Sequence, residues 1–164
     1  MNTAQWVMNS KVGRLYLVAS DKGLQSISWE KQTAKIVKSL KGKGTELKIL
    51  SQAVQELDEY FNKKRIKFDI PLDIQGTPFQ KQVWARLSKI PYGKMISYQG
   101  IAIGIKKPKA FRAVGTANGK NPLPIVIPCH RVIASNGSLG GYSAGLDLKV
   151  ELLHLEQCDE HHHH

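Results

Sequence analysis

The chain has 164 residues, of which 41% are hydrophobic and 23% are charged, as is typical of one globular domain or two small ones. Its net charge of +11 favours a polyanionic partner such as nucleic acid, although a merely soluble basic protein fits the charge as well. No apolar run approaches the ~20 residues of a membrane span, and the polar start lacks the apolar region of a signal peptide. The chain has only two cysteines, which favours a reducing, cytoplasmic location. No membrane partner is expected.

The first half of the chain predicts a small sheet followed by helices. Three β-rich runs separated by turns predict a three-stranded meander over residues 3–29. Residues 31–45 carry a weak helical pattern, and a solvated basic face without a specific function is the simplest interpretation of their charge. Residues 50–63 predict a firmer helix with Val54, Leu57, Tyr60 and Phe61 on one face. The following FDIPLDI, residues 68–74, is expected to be a strand or a linker.

The composition changes near Gly76. Thr77 and Pro78 are typical of a helix start, and the buried stripe of that helix would be Phe79, Val83, Trp84 and Leu87. Two short helices over residues 98–104 (capped by Ser97) and 109–117 predict a helix-turn-helix. The apolar run 125–128 predicts a strand ended by Pro128, and residues 147–157 predict a last helix capped by Asp147.

Cys129 follows this apolar run and directly precedes His130. It can be a buried structural thiol, a metal ligand or a nucleophile. His130 and Arg131 add positive potential that favours a thiolate, and Glu156 is the acidic candidate to orient His130. The bland alternative for Glu156 is an exposed helix carboxylate.

A zinc site would need four ligands from the available cysteines and histidines. The candidates pair poorly in spacing, because a Cys-His dipeptide and an HxxxC pair match no common zinc pattern. We therefore expect no metal at Cys129, His130, His154 and Cys158.

The second helix of the predicted pair has an unusual face. Small residues surround Arg112, which suits either tight packing or close docking on the minor groove with an inserted side chain. Nearby lysines could contact phosphates. A thiol pocket beside such a helix suggests chemistry on a base that leaves the stack. The small residues are Ala110, Ala113, Gly115 and Ala117, and the lysines are Lys106, Lys107, Lys109 and Lys120.

Several motifs in register resemble the O6-alkylguanine-DNA alkyltransferase family: ISYQGIA at 96–102, PKAFRAVGTANGKNPLPIVIPCHRV at 108–132, GYSAG at 141–145 and LLHLE at 152–156. The resemblance covers about half the chain. It implies an α+β fold. An N-terminal ribonuclease-H-like domain, residues 1–75, would contain an antiparallel meander plus helices. A mostly helical DNA-binding and alkyl-acceptor domain, residues 76–160, would contain the helix-turn-helix and the cysteine. Residues 161–164 resemble a purification-tag remnant.

The resemblance also implies the reaction. An alkyl group would move once and irreversibly from guanine O6, or less well from thymine O4, to Cys129 after base flipping. No cofactor is expected, and the partner would be double-stranded DNA, bound through its minor groove by a monomer. Some relatives hold zinc in the N-terminal domain, but this chain has no cysteine or histidine there, so no zinc is expected.

Residue roles follow from the same resemblance. Cys129 would be the nucleophile, His130 the base acting through a water, and Glu156 the group that orients His130. Tyr98 would hydrogen-bond the guanine ring nitrogen and donate a proton, and Asn121 would tie the active-site turn to the helix-turn-helix. DNA or base contacts are implied for Arg112 (an inserted finger), Ser143, Tyr142, Val132, Pro124, Ala110, Ala113 and Lys109. Asn118 stands where some members carry a bulkier apolar residue.

Two other functions remain possible from the sequence. A non-repairing lesion binder or regulator could use the same docking helices, but the complete Cys129, His130 and Glu156 set argues against it. A cysteine hydrolase would need turnover and an oxyanion hole, which no motif indicates.

Overall fold

The computed structural model describes residues 2–157, which fall into two compact units with the division between Gln75 and Gly76. The first contains strands β1 (Thr3–Ser10), β2 (Gly13–Ser20) and β3 (Leu24–Ser28) and helix α1 (Thr45–Phe61). The second contains α2 (Pro78–Leu87), β4 (Ile96–Ser97), α3 (Tyr98–Gly104), α4 (Phe111–Gly119), a 3-10 turn (Cys129–Arg131), β5 (Val132–Ile133) and α5 (Leu146–Leu155). The predicted α+β class is confirmed. Within residues 2–157 no helix has the length and apolar character that a membrane crossing requires.

The first unit is an antiparallel sheet with one helix packed on it. The strands lie in the order β1-β2-β3, as the meander predicted, and β1 pairs with β2 from Thr3 opposite Ser20 to Ser10 opposite Gly13. Leu15, Leu17 and Ala19 alternate along β2 and are fully buried, because every second side chain of a strand points to the same face. Helix α1 contacts the sheet and buries its own apolar stripe.

The weak helical pattern of residues 31–45 wrongly predicted a helix there. These residues are irregular until α1 begins at Thr45. The backbone of Gln5 in β1 hydrogen-bonds with both Lys35 O (2.8 Å) and Val37 N (2.9 Å). The fully buried Gln5 side chain also donates to Gln32 O and Ala34 O. These tertiary hydrogen bonds outweigh a weak local propensity. Helix α1 itself begins at Thr45, five residues earlier than residue 50, with Glu46 favourably placed in its first turn.

Residues 68–74 form a linker rather than a strand. Their one strand-like pairing is an isolated bridge between Leu24 and Leu72. Gly23 lies against this segment so closely that a Cβ there would be 2.6 Å from the carbonyl carbon of Leu72. Only glycine fits at that position.

Helix α2 begins as its sequence predicts. Thr77 Oγ1 accepts from Gln80 N, and the Gln80 side chain accepts from Thr77 N, which makes a complete capping box. Trp84 is buried and donates its indole N–H to Ala117 O at 2.9 Å. This hydrogen bond joins α2 to α4. Phe79, which was predicted to be buried, is half-buried.

Helices α3 and α4 lie against each other on the predicted segments. Ser97 caps α3 by accepting from Gly100 N at 2.9 Å. Helix α4 begins at Phe111, two residues later than predicted. The short strands β4 and β5 pair in parallel, with Ile96 opposite Val132, so the start of α3 lies beside the segment that follows Cys129.

Two predictions near the C-terminus are corrected by the structure. The apolar run 125–128 is a turn, closed by a hydrogen bond from Ile127 N to Leu123 O (2.8 Å), so Cys129 precedes a strand instead of ending one. Helix α5 begins at Leu146 after Gly145, whose φ of 107° favours glycine. Asp147 lies in the first turn of α5 and is not its cap.

Candidate active site

Cys129 is buried in the 3-10 turn, with 3% of its surface exposed. Burial raises the pKa of its thiol, while the nearby polar groups of Asn121 and Tyr142 and the charge of Lys149 lower it by less. The expectation that His130 and Arg131 make it a thiolate is therefore not met, because desolvation disfavours the charged form. The resting cysteine is a thiol, and its activation requires a base.

His130 is completely buried and is paired with a carboxylate. Its Nε2 lies 2.8 Å from Glu156 Oε2. Burial lowers the pKa of His130, and Glu156 offsets this only in part, so the ring is neutral. A carboxylate partner fixes the proton on Nε2 and leaves a lone pair on Nδ1. Nδ1 has no hydrogen-bond partner among residues 2–157, so this nitrogen is free to accept a proton.

Glu156 directly follows α5 and is 2% exposed, so the interpretation as a surface carboxylate is wrong. Arg131 makes a bidentate pair with this carboxylate: Nε donates to Oε1 (2.7 Å) and Nη2 donates to Oε2 (2.9 Å). Burial by itself would raise the pKa of Glu156, but His130 and Arg131 hold it well below its usual range. The carboxylate is therefore a fixed anion behind His130.

The sequence interpretation missed Arg131 as part of this network. The guanidinium is buried and also donates to Ile90 O at 2.7 Å. A buried arginine needs a carboxylate partner. In a half of the chain with few acidic residues, that rule could have pointed to Glu156.

Lys149 is a second residue that the sequence interpretation missed. Its side chain is completely buried in α5, and Nζ donates to Val132 O (2.7 Å), Leu139 O and Gly141 O (3.2 Å). Burial lowers the pKa of Lys149 to about 8. One amine thus fastens the Gly/Ser-rich loop of residues 135–145 to β5. The only sequence signal is its position among Val150, Leu152 and Leu153 on a largely apolar helix.

A cavity of about 320 Å³ opens beside the cysteine turn. Tyr98 is half-buried at its edge, and burial raises the pKa of its phenol, which therefore remains a proton donor. The Tyr142 hydroxyl is buried beside Cys129, and its pKa is raised well above the usual value by burial and then by the thiol. The lining comprises Tyr98, Gly115, Asn118, Gly119, Gly141, Tyr142 and Ser143.

Three other predicted residues lie in or next to the turn that contains Cys129. Asn121 Nδ2 donates to Ile127 O at 2.7 Å, and its Oδ1 accepts from Leu123 N at 2.9 Å, which holds the turn before Cys129. Pro124, for which a DNA or base contact was expected, is buried in that turn and is not among the residues that line the cavity. Val132 was also expected to contact the base, and its own carbonyl accepts from Lys149 Nζ.

The remaining predicted contacts lie on or next to α4. Arg112 is exposed, with its guanidinium carbon 6.0 Å from the centre of the Phe111 ring. Ala113 and Lys109 are exposed, and Ala110 is half-buried. Gly115 on the same helix lines the cavity, so α4 borders the site.

Residues 2–157 contain no group of three or more histidines, cysteines or carboxylates that could hold a metal ion. Cys158, considered as a fourth zinc ligand, lies outside the described residues.

Comparison with known proteins covers nearly the whole chain. Residues 5–74 match the ribonuclease-like domain of 6-O-methylguanine DNA methyltransferase, and residues 78–158 match its DNA-binding domain. A methylated-DNA–protein-cysteine methyltransferase of Methanosarcina barkeri is 43% identical over 154 residues, which cover 92% of this chain and 95% of the relative. The chain belongs to the methylated-DNA–protein-cysteine methyltransferase family.

Solved structures of this family have the same fold. Mycobacterium tuberculosis OGT in complex with DNA superposes with a TM-score of 0.82 at 39% identity, covering 94% of this chain and 92% of that one. The O6-methylguanine DNA methyltransferase of Methanococcus jannaschii superposes with a TM-score of 0.68 at 28% identity, covering 93% of each chain. The constitutive methyltransferase of Bacillus subtilis is 50% identical over 109 residues, 66% of each chain.

Proposed function

We propose that this protein repairs DNA by direct damage reversal, moving a methyl or other alkyl group from guanine O6 to Cys129. The relatives are named for this transfer, and one is solved in complex with DNA. The observation that carries the proposal is the buried series Arg131, Glu156 and His130 beside a protonated Cys129 thiol. It supplies an activating base without solvent access.

The chemistry is an in-line displacement. The Cys129 sulfur forms a bond to the alkyl carbon while the bond from that carbon to O6 breaks, and the electron pair returns to the guanine ring. The thiol proton passes to His130, the Tyr98 phenol gives its proton to ring nitrogen N1, and the proton on His130 then returns through water to the tyrosine phenolate. The net transfer is one proton from the sulfur to N1, and unmodified guanine is released. The thioether has no route back to a thiol, so each molecule acts once.

The proton path uses the free nitrogen of His130. Glu156 holds the proton on Nε2, so Nδ1 accepts the thiol proton, directly or through a bridging water. As the imidazolium forms, the anionic Glu156 stabilises it, and Arg131 keeps Glu156 in place. The low pKa of His130 keeps the base unprotonated until the thiol is activated.

Tyr98 and the loop after β5 suit the leaving base. The phenol of Tyr98, whose pKa is raised, donates to the ring nitrogen as charge develops there. Tyr142 and Ser143 line the cavity, which supports contacts to O6 from Ser143 and from the backbone around Tyr142. Asn121 keeps the cysteine turn rigid through its two hydrogen bonds.

DNA would dock through α3 and α4 as a helix-turn-helix on the minor groove. The small residues Ala110 and Ala113 permit close approach, Lys109 meets a phosphate, and Arg112 fills the gap left by a flipped base. We assign residues 1–75 to a ribonuclease-H-like domain and residues 76–160 to the DNA-binding and alkyl-acceptor domain. We further expect a cytoplasmic monomer that also accepts O4-alkylthymine, less well.

Intact-mass measurement tests the function. The protein, freshly reduced, is mixed with a duplex that contains one O6-methylguanine, and peptide mapping locates any added mass. We expect a gain of one CH2 on Cys129 and none in Cys129→Ala. A lesion binder would hold the same duplex tightly with no gain in mass, and that result would exclude the transfer.

A further inference from the structure

Helix α4 exposes one large aromatic side chain. Phe111, its first residue, is 41% exposed, whereas the helix packs through Val114, Ala117 and Asn118. Its exposed neighbour Ala113 is small. Packing of the helix therefore does not account for the exposed part of the ring, which lies on the face assigned above to DNA.

The sequence around Phe111 carries positive charge alone. Lys106, Lys107, Lys109 and Arg112 are all exposed, and no aspartate or glutamate occurs between Asp73 and Asp147. An aromatic ring among cations fits a partner that alternates negative charge with flat apolar surface. Nucleic acid has this chemistry, with phosphates for the lysines and base faces for the ring.

Phe111 and Arg112 form a pair. The guanidinium carbon of Arg112 lies 6.0 Å from the centre of the Phe111 ring, at the outer limit of a cation–π contact. The two side chains can therefore approach a groove together.

We propose that Phe111 is a second DNA-inserting residue, an aromatic wedge that enters the minor groove beside Arg112. The inference rests on the proposed function, in which Arg112 enters the stack. Phenylalanine is one of the side chains that minor-groove proteins insert between base steps to unstack them. Arg112 fills the space of the flipped base, and Phe111 holds the adjacent step open. Phe111 is thus a positioning residue that touches DNA and takes no part in the transfer itself.

Binding to a reporter duplex tests the wedge. In a Cys129→Ala background, which keeps the complex non-covalent, the protein binds a duplex with 2-aminopurine next to O6-methylguanine. Unstacking raises 2-aminopurine fluorescence. We expect Phe111→Ala to lose most of this rise and to bind about tenfold more weakly, with an unchanged salt dependence because no charge is removed. Phe111→Tyr keeps the ring and should retain both properties.

A matched control is available in the first unit. Ile66 is 60% exposed and stands between Arg65 and Lys67, so Ile66→Ala removes an exposed apolar side chain that is flanked by basic residues and lies outside the proposed DNA-binding domain. It should change neither affinity nor fluorescence. The wedge is excluded if Phe111→Ala leaves the fluorescence rise intact, whatever its affinity, since the ring would then lie outside the stack.

A reaction with the free base separates this inference from the function. In the chain with Cys129 intact, Phe111→Ala should react with free O6-methylguanine at the parent rate, which also shows that it folds, and with the duplex about tenfold more slowly. Equal duplex rates would overturn the wedge alone. If neither the free base nor the duplex methylates the parent protein, the proposed function is overturned.

Discussion

Glu156 Oε2 lies 2.8 Å from His130 Nε2, so the Nε2 side of the imidazole ring is fixed by a buried anion. Arg131 occupies both oxygens of the same carboxylate. The base is thereby assembled from three buried polar groups, each of which would be costly to bury without the others.

Glu156→Gln should therefore destabilise the protein by about 3 kcal/mol, because it leaves the Arg131 charge buried without its counter-ion. The methyl-transfer rate should fall as well, since the imidazolium loses its anion. Urea unfolding and single-turnover mass kinetics measure the two effects. Glu151→Gln removes an exposed carboxylate from the preceding helix α5 and should cost under about 0.5 kcal/mol. Similar losses in the two variants would contradict a structural role for the network.

Stability should depend on pH through His130. Its folded pKa is lowered by burial, so below the unfolded pKa of about 6.5 the unfolded chain binds a proton that the folded chain does not. The free energy of unfolding should thus fall as the pH drops from 6.5 toward 5, by at most about 1.4 kcal/mol per pH unit. Urea titrations of the parent and of His130→Asn measure the slope, which should flatten in the variant. His154 is exposed and remains in both proteins. An equal slope in both would show that His130 is not the group responsible.

Lys149→Met should slow methyl transfer about tenfold or more, because the carbonyls of Val132, Leu139 and Gly141 lose their common donor and Tyr142 loses its fixed place. Affinity for an unmodified duplex should change no more than in Lys81→Met, an exposed lysine on α2. Limited chymotrypsin digestion should cut the loop at Leu139 or Tyr142 faster in Lys149→Met. A variant with the parent rate and the parent digestion pattern would show that the amine does not fasten the loop.

Thr77→Ala should destabilise the second unit by about 1 kcal/mol, since α2 loses the side chain that caps it. Thr77→Ser keeps the hydroxyl and should stay near the parent value. Thermal unfolding followed by circular dichroism measures both. If alanine and serine behave alike, the hydroxyl is not what stabilises the helix start.

The elements with strong local signals were predictable from the sequence. The β1-β2-β3 meander, the Thr77 cap and the Ser97 cap depend on residues near in sequence, and the structure has all three. The failures come from partners distant in sequence. Gln5 draws residues 32–37 into an irregular segment, and the turn at 125–128 is held by Asn121 from outside the run. No pattern within those segments reports on these partners.

The candidate site was predictable only as far as motifs extend. The resemblance of PCHRV and LLHLE to the family motifs placed Cys129, His130 and Glu156 in one set, and the structure brings the last two within hydrogen-bond distance. Arg131 and Lys149 were missed because a charged residue is normally exposed on the protein surface. Their burial depends on the packing of α5 against the cysteine turn, and this is a tertiary property.

The buried, protonated state of Cys129 has a consequence for the lifetime of the unreacted protein. A molecule that reacts once is a stored reagent, and any oxidant that reaches its sulfur consumes it. Oxidants and stray electrophiles attack thiolates. Because the Cys129 sulfur is 3% exposed and its pKa is raised, almost no accessible thiolate is present. Under the proposed function, a base on the neighbouring His130 allows the sulfur to stay protonated and inert in storage.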